Sequence, residues 1–158
     1  MVGATTIQGE MQKAVARWSG HKVKFVVESR SGHEAVVDEP PIFGDDEGMR
    51  PTEMLLGALG ACTGTNAVLL LKKFKQAYSS LSVECQGQQE DEWPHRFTNI
   101  QIDFVIDWED GFQPDAGLVA KALDLACNRY CPVDATLTYG AKISHRRVNA
   151  SNPSSPSR

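Results

Sequence analysis

A chain of 158 residues, 41% hydrophobic and 23% charged, has the make-up of one soluble globular domain long enough to bury a core. A formal net charge of −4, with no basic aromatic strand, argues against a nucleic-acid-binding module. The first residues, MVGATTIQGEMQK, carry no apolar stretch flanked by basic residues and so no secretory signal; a cytoplasmic, reducing setting is expected, where cysteines stay thiols.

Residues 1–11 read as an N-terminal extension and 12–148 as the domain. Residues 12–18 (QKAVARW) alternate and then meet Ser19-Gly20; residues 22–29 (KVKFVVES) follow, so the two predict a hairpin. Arg30-Ser31-Gly32 turns into a third short strand, His33 to Val37. Residues 38–50 (DEPPIFGDDEGMR), rich in Pro, Gly and acids, form a loop.

A long helix is expected from Pro51 to about residue 77. Pro51 suits a first helical position, Glu53 complements the N-terminal end of the helix dipole, and Lys72, Lys73 and Lys75 suit the C-terminal end. Between them Met54 to Leu71 carries no formal charge, with Cys62 near its middle. At 100° per residue Gly57, Gly60, Ala61 and Gly64 share a stripe, roughly opposite Leu55, Leu59, Cys62, Asn66 and Leu69. Both sides are apolar or small, so burial nearly all round is expected. The run reaches the lower length for a membrane span, but Thr63-Gly64-Thr65-Asn66 and the lack of a second span favour a core helix. The glycines cost about 1 kcal/mol each in helix propensity, which makes sense where another backbone comes close.

Beyond it, Ser80 to Gln89 and Phe97 to Trp108 alternate as strands, separated by a turn through Trp93-Pro94. Pro114 to Arg129 is helical, with Leu118, Val119, Ala122, Leu125 and Ala126 on one side. Tyr130-Cys131-Pro132 is a sharp break, Leu137 to Val148 a last strand, and residues 149–158 a disordered tail. The class is α+β: antiparallel hairpins with two helices on their faces. A helix so apolar is hard for a small domain to cover alone, and an intimate homodimer is expected.

The four cysteines, Cys62, Cys85, Cys127 and Cys131, form no C-x-x-C pair, and the histidines fall at no ligand spacing, so no metal site is expected. A buried Cys is ordinarily a small hydrophobe. Cys131, beside Pro132 and leading a possible helical turn, would gain thiolate stabilisation from a helix N-terminus. Two thiols at special positions are the simplest apparatus for a dithiol–disulfide cycle. Asn66 reads either as a donor toward the thiol or as a satisfied core amide; Phe43, Trp93 and Trp108 read as core or dimer residues.

PTEMLLGALGACT, from Pro51 to Thr63, and YCPV, from Tyr130 to Val133, occur in the order and spacing of the OsmC/Ohr family of osmotically inducible and organic hydroperoxide resistance proteins. SGHEAVVDEPPIFG, which precedes them, resembles the OsmC-like branch. The resemblance covers residues 12–148. It implies an intertwined α+β homodimer with a long central helix, cofactor-free, with active sites at the subunit boundary. It also implies a thiol peroxidase for organic hydroperoxides, and often hydrogen peroxide, in which Cys62 attacks the peroxide and Cys131 resolves the sulfenic acid, an external dithiol being the reductant. Apolar Leu55, Leu59 and Leu69 would then favour organic peroxides. In the hydroperoxide-resistance branch a Glu directly after the helix-opening Pro holds an Arg against the thiol. Here that position is Thr52 and the acid is Glu53, nine residues from Cys62 and on the opposite helix face. Arg30 sits where that branch carries its arginine. Glu53 and Arg30 therefore join the candidates, and the departure at Thr52 keeps open a thiol sensor or ligand-binding dimer with little turnover.

Overall fold

The computed structural model describes residues 11–147; most of the expected N-terminal extension, and all of the expected tail at 149–158, lie outside them. Near the N-terminus β1 (Ala14–Trp18), β2 (Phe25–Ser29) and β3 (Glu34–Val37) form an antiparallel sheet in that order, with Trp18 opposite Phe25 and Phe25 opposite Val37. Gly32, at φ +81°, makes the β2–β3 turn possible, since that left-handed region suits glycine. The loop after β3 is organised on Asp38, whose buried carboxylate accepts the amides of Glu39, Asp45 and Glu47 at 2.9, 3.0 and 3.2 Å. Burial pushes this carboxyl's pKa up, but the three amides and Lys24 outweigh it and the net shift is down.

That loop delivers the chain to α1 (Pro51–Lys73). Pro51 opens it, and Glu53 accepts the Arg50 amide at 3.0 Å and the Arg50 guanidinium at 3.1 Å. The helix stops four residues short of the expected 77. Lys75 is left-handed at φ +57°, and the Gln76 amide turns back to the Leu71 carbonyl at 2.9 Å, a helix-ending turn that residue type alone does not announce. Gln76 is itself buried. It accepts the Asp115 amide at 2.9 Å and donates to the Phe74 carbonyl at 3.0 Å, so the exit of α1 is tied to the entrance of α2 (Ala116–Asn128). Asp115 caps α2 by accepting the Leu118 amide.

Between the two helices lie β4 (Tyr78–Gln89) and β5 (Phe97–Trp108), a long antiparallel pair with Val83 opposite Phe104 and Cys85 opposite Ile102. The core sits where α1 meets α2. Ala67, Leu70 and Leu71 pack on Ala122 and Ala126, with Phe74, Leu81, Phe104, Ile106 and Trp108 around them. Alanines at the crossing let the two backbones approach closely, which is how a short α2 can run along a long α1.

Two expectations need correcting. The strand expected from Leu137 to Val148 is absent over its described residues: α3 spans Pro132–Tyr139, residues 140–147 are irregular, and Val148 lies outside the described residues. Cys131 caps α3, Pro132 occupies its first turn with Asp134, and the Thr136 hydroxyl bonds back to the Pro132 carbonyl at 2.7 Å. These start signals outweigh the strand preference of Thr136, Leu137 and Thr138. Nor is α1 buried all round in a single chain. Leu59, Gly60, Thr63, Gly64, Ala67, Leu70 and Leu71 are buried, but Gly57, Ala58, Ala61 and Thr65 are exposed, with Leu55 at 38% and Leu69 at 52%. By length and composition α1 could cross a membrane; here it is a core helix packed on α2, β4 and α3.

The glycine stripe has a structural cause at two positions. A Cβ on Gly64 would stand 3.1 Å from Val83 Cγ2, and one on Gly60 would stand 3.3 Å from Cys85 Sγ and 3.5 Å from the Val83 carbonyl. Glycine is what lets β4 lie against α1. Gly57, one turn earlier, meets nothing within 4 Å and lines an open groove with Ala61, Thr65 and Leu69.

Candidate active site: a dithiol between two helices

Cys62 lies in the middle of α1 on the side turned from β4. Cys131 lies 69 residues later, at the bend between α2 and α3. Packing α2 along α1 brings the bend back over Cys62, and the Cys131 thiol donates to the Cys62 sulfur with the two sulfurs 2.8 Å apart. Cys131 is 3% exposed and Cys62 is half-buried, so the pair is more open on the Cys62 side. Both are free cysteines.

The proton on Cys131 is strongly held. Burial, reinforced by the hydrogen bond to Cys62, raises its pKa to about 11. The N-terminus of α3 acts in the expected direction, through the Asp134 amide at 3.3 Å from Cys131 Sγ and the Val133 amide, but it is outweighed. The expected thiolate stabilisation at Cys131 is therefore reversed: desolvation of a buried sulfur exceeds what one helix end provides. Burial also raises Cys85. It raises Cys127 too, with further contributions from the charges of Asp134 and Asp124.

Asn66, one turn after Cys62, spends its amide on two carbonyls. Nδ2 donates to the Cys62 carbonyl at 3.0 Å and to the Tyr130 carbonyl at 3.2 Å. Of the two readings of Asn66 this is the satisfied amide, and its second partner is the residue just before Cys131. The polar side chain in an apolar run was the visible signal; the partner was not. Leu59, one turn before Cys62, and Asp134 share a cavity of about 300 Å³ with Phe97, Ile100, Ile102 and Leu137. Of the three leucines expected to line a pocket, Leu59 lines this one, whereas Leu69 lines the groove on the glycine side.

Within the single chain, neither Glu53 nor Arg30 hydrogen-bonds to either thiol. Glu53 is engaged by Arg50, whose amide and guanidinium keep its carboxyl below the usual range. Arg30 stands in the β2–β3 turn, its amide on the Lys13 carbonyl and its guanidinium 3.4 Å from the Met11 carbonyl. Among the described residues no basic side chain hydrogen-bonds to either sulfur, and no group of three or more His, Cys, Asp or Glu could hold a metal ion. Trp108 joins the core, while Phe43 and the 87% exposed Trp93 line an apolar cleft with Phe25, Val37 and Met54.

Comparison with known proteins identifies the fold and the family. Protein YhfA of Escherichia coli K12 is 33% identical over 121 residues, 77% of this chain and 86% of its own. The crystal structure of an OsmC-like protein from Mycoplasma pneumoniae superposes with a TM-score of 0.69 at 17% identity, covering 82% of this chain and 89% of that one. An organic hydroperoxide resistance protein OsmC from Legionella pneumophila gives 0.58 at 14% identity, covering 81% and 89%. At these identities the two structures speak for the fold. Residues 44–146 match the description of OsmC-like proteins, a span that includes α1, the β4–β5 pair and the Cys131 bend, and the chain belongs to that family.

Proposed function

We propose that this protein is a thiol peroxidase that reduces organic hydroperoxides, working as a homodimer in a cytoplasmic, reducing setting. The observation that carries the reading is the contact of Cys131 Sγ with Cys62 Sγ at 2.8 Å. The Cys62 thiolate attacks the distal oxygen of ROOH; the O–O bond breaks, an alcohol leaves with a proton, and Cys62 becomes a sulfenic acid. Cys131 then attacks that sulfur, forming the disulfide while hydroxide leaves with the Cys131 proton as water. An external dithiol reduces the disulfide by exchange, returning both thiols and carrying away the two electrons' worth of oxidation. Leu59, Phe97, Ile100, Ile102 and Leu137 give the cavity one apolar side for an organic R group, facing a polar side of Thr98, Asn99, Asp134 and Thr138, and the name of the Legionella relative supports the same substrate class.

The reading includes a second copy of the chain. The exposed residues Gly57, Ala61, Thr65 and Leu69 of α1 line a groove of about 750 Å³ that a partner's helix would fill. A thiol sensor of the same fold is the second reading, and what favours it is the lack of a basic group bonded to either sulfur among the described residues. Peroxide consumption with excess dithiol separates the two: an enzyme turns over many times, a sensor oxidises once. Cys62→Ser should abolish consumption. Cys131→Ser should still form the sulfenic acid, visible as one added oxygen by intact mass, without the disulfide. Undiminished turnover in Cys62→Ser would refute the assignment.

A further inference from the structure

We infer that Asn66 is a positioning residue for the resolving thiol: it ties the bend that carries Cys131 to the turn of α1 that carries Cys62. The inference rests on the reading of these two cysteines as a redox pair.

Little else holds Cys131 there. No residue of α3 is buried; Leu137 is 39% exposed and Tyr139 86%. Hydrophobic burial therefore anchors this helix only weakly. Pro132 has no amide hydrogen to contribute. On the α2 side the Arg129 and Tyr130 amides both turn back to the Leu125 carbonyl, closing that helix on itself rather than onto α1. Besides the contact of the two thiols themselves, the hydrogen bond that crosses from α1 to the bend among the described residues is Asn66 Nδ2 to the Tyr130 carbonyl, 64 residues apart in the chain and one peptide from Cys131.

The residue type also matters. A side chain needed only to bond the carbonyl four residues back could be a hydroxyl. Thr63 does this to Leu59 at 3.0 Å and Thr65 to Ala61 at 2.8 Å in the same helix. Asn66 has a second N–H on the same nitrogen and a longer reach, and it uses both hydrogens on carbonyls of residues that belong to, or adjoin, the thiol pair. Its first bond fixes the side chain and its second fixes the bend. The consequence is a higher effective concentration of Cys131 at Cys62.

The experiment uses the full chain. Wild type, Asn66→Ala and Asn66→Ser are equilibrated in glutathione redox buffers, quenched in acid and alkylated, and the Cys62–Cys131 bond is quantified by peptide mapping. Thermal melts identify folded protein. The Ser variant retains a hydroxyl for the Cys62 carbonyl but cannot reach Tyr130, so it keeps the helix intact while cutting the tie. Both variants should lower the equilibrium constant for the bond about tenfold, the scale of one lost hydrogen bond. Sulfenic acid formation at Cys62, trapped with dimedone after one equivalent of peroxide, should change less than threefold. An equilibrium constant within twofold of wild type in either folded variant would overturn the inference, as would an equal loss in both steps. The glutathione equilibrium needs no peroxide turnover. A wild-type protein that closes the bond but consumes no peroxide would therefore sink the peroxidase reading and leave this one standing.

Discussion

Gly64→Ala sets two magnitudes against each other. Alanine in a helix interior is favoured over glycine by about 1 kcal/mol. The new methyl, however, would sit 3.1 Å from Val83 Cγ2, where carbon atoms settle at about 3.5–4.0 Å. Overpacking of this kind costs about 1–3 kcal/mol, so Gly64→Ala should be neutral to about 2 kcal/mol destabilising, the opposite of its propensity. Val83→Ala removes the obstructing methyl and, at a half-buried site, costs about 1 kcal/mol alone. Combined, the alanine at 64 recovers its helical advantage, and the double-mutant cycle should show a favourable coupling of about 1–3 kcal/mol. Urea midpoints at unchanged m-value measure it, with all four proteins reduced and at one concentration so that any association contributes equally. A coupling below about 0.5 kcal/mol would mean that β4 does not press on α1 at this point, and the glycines would need another cause.

Gln76→Ala removes two hydrogen bonds of about 1 kcal/mol each and leaves the Asp115 amide without its acceptor; calorimetry should show a melting point lower by roughly 4–10 °C. Cys131, held at about 11 in the fold against an ordinary thiol value near 9, contributes stability that is complete below pH 9 and lost as pH rises toward 11. Melts of the reduced protein should therefore fall more steeply over that window than melts of Cys131→Ser, and parallel curves would contradict the assignment. Leu69→Glu, on the exposed side of α1, should leave the protomer folded but shift sedimentation of the proposed dimer toward monomer. An unchanged dimer would place the partner elsewhere.

Strand β5 was legible to the residue because Phe97 to Trp108 alternates without interruption, and period two has no competitor over twelve residues. The start of α1 was legible through Pro51 and Glu53. Its end was not, because Lys75 takes a left-handed conformation that lysine rarely signals. The third helix was hidden by its own composition: VDATLTY reads as strand unless the Cys-Pro start is given priority. Pairing of Cys62 with Cys131 came from the family resemblance rather than from spacing, since it depends on how Ala122 and Ala126 seat α2 on Ala67. The same limit hid the Tyr130 partner of Asn66. It also inverted the expectation for the Cys131 proton, because a helix N-terminus shows in a sequence and burial of the sulfur on it does not.

The two sulfurs are unequal, and the inequality suits the proposed cycle. The more open Cys62 accepts a hydrogen bond from Cys131, so negative charge that develops on Cys62 sulfur meets a donor. Cys131 is kept protonated by the burial that shields it from peroxide. In the resolving step that proton is needed, because hydroxide is a poor leaving group from a sulfenic acid and water is a good one. A Cys131 that ionised easily would be a better nucleophile but would take its charge beside Cys62, repelling the thiolate that must attack first. Burying and protonating Cys131 while Cys62 stays more open divides attack from resolution between the two sulfurs. The same division explains why the bend must be held: a protonated, buried nucleophile compensates for low reactivity with proximity.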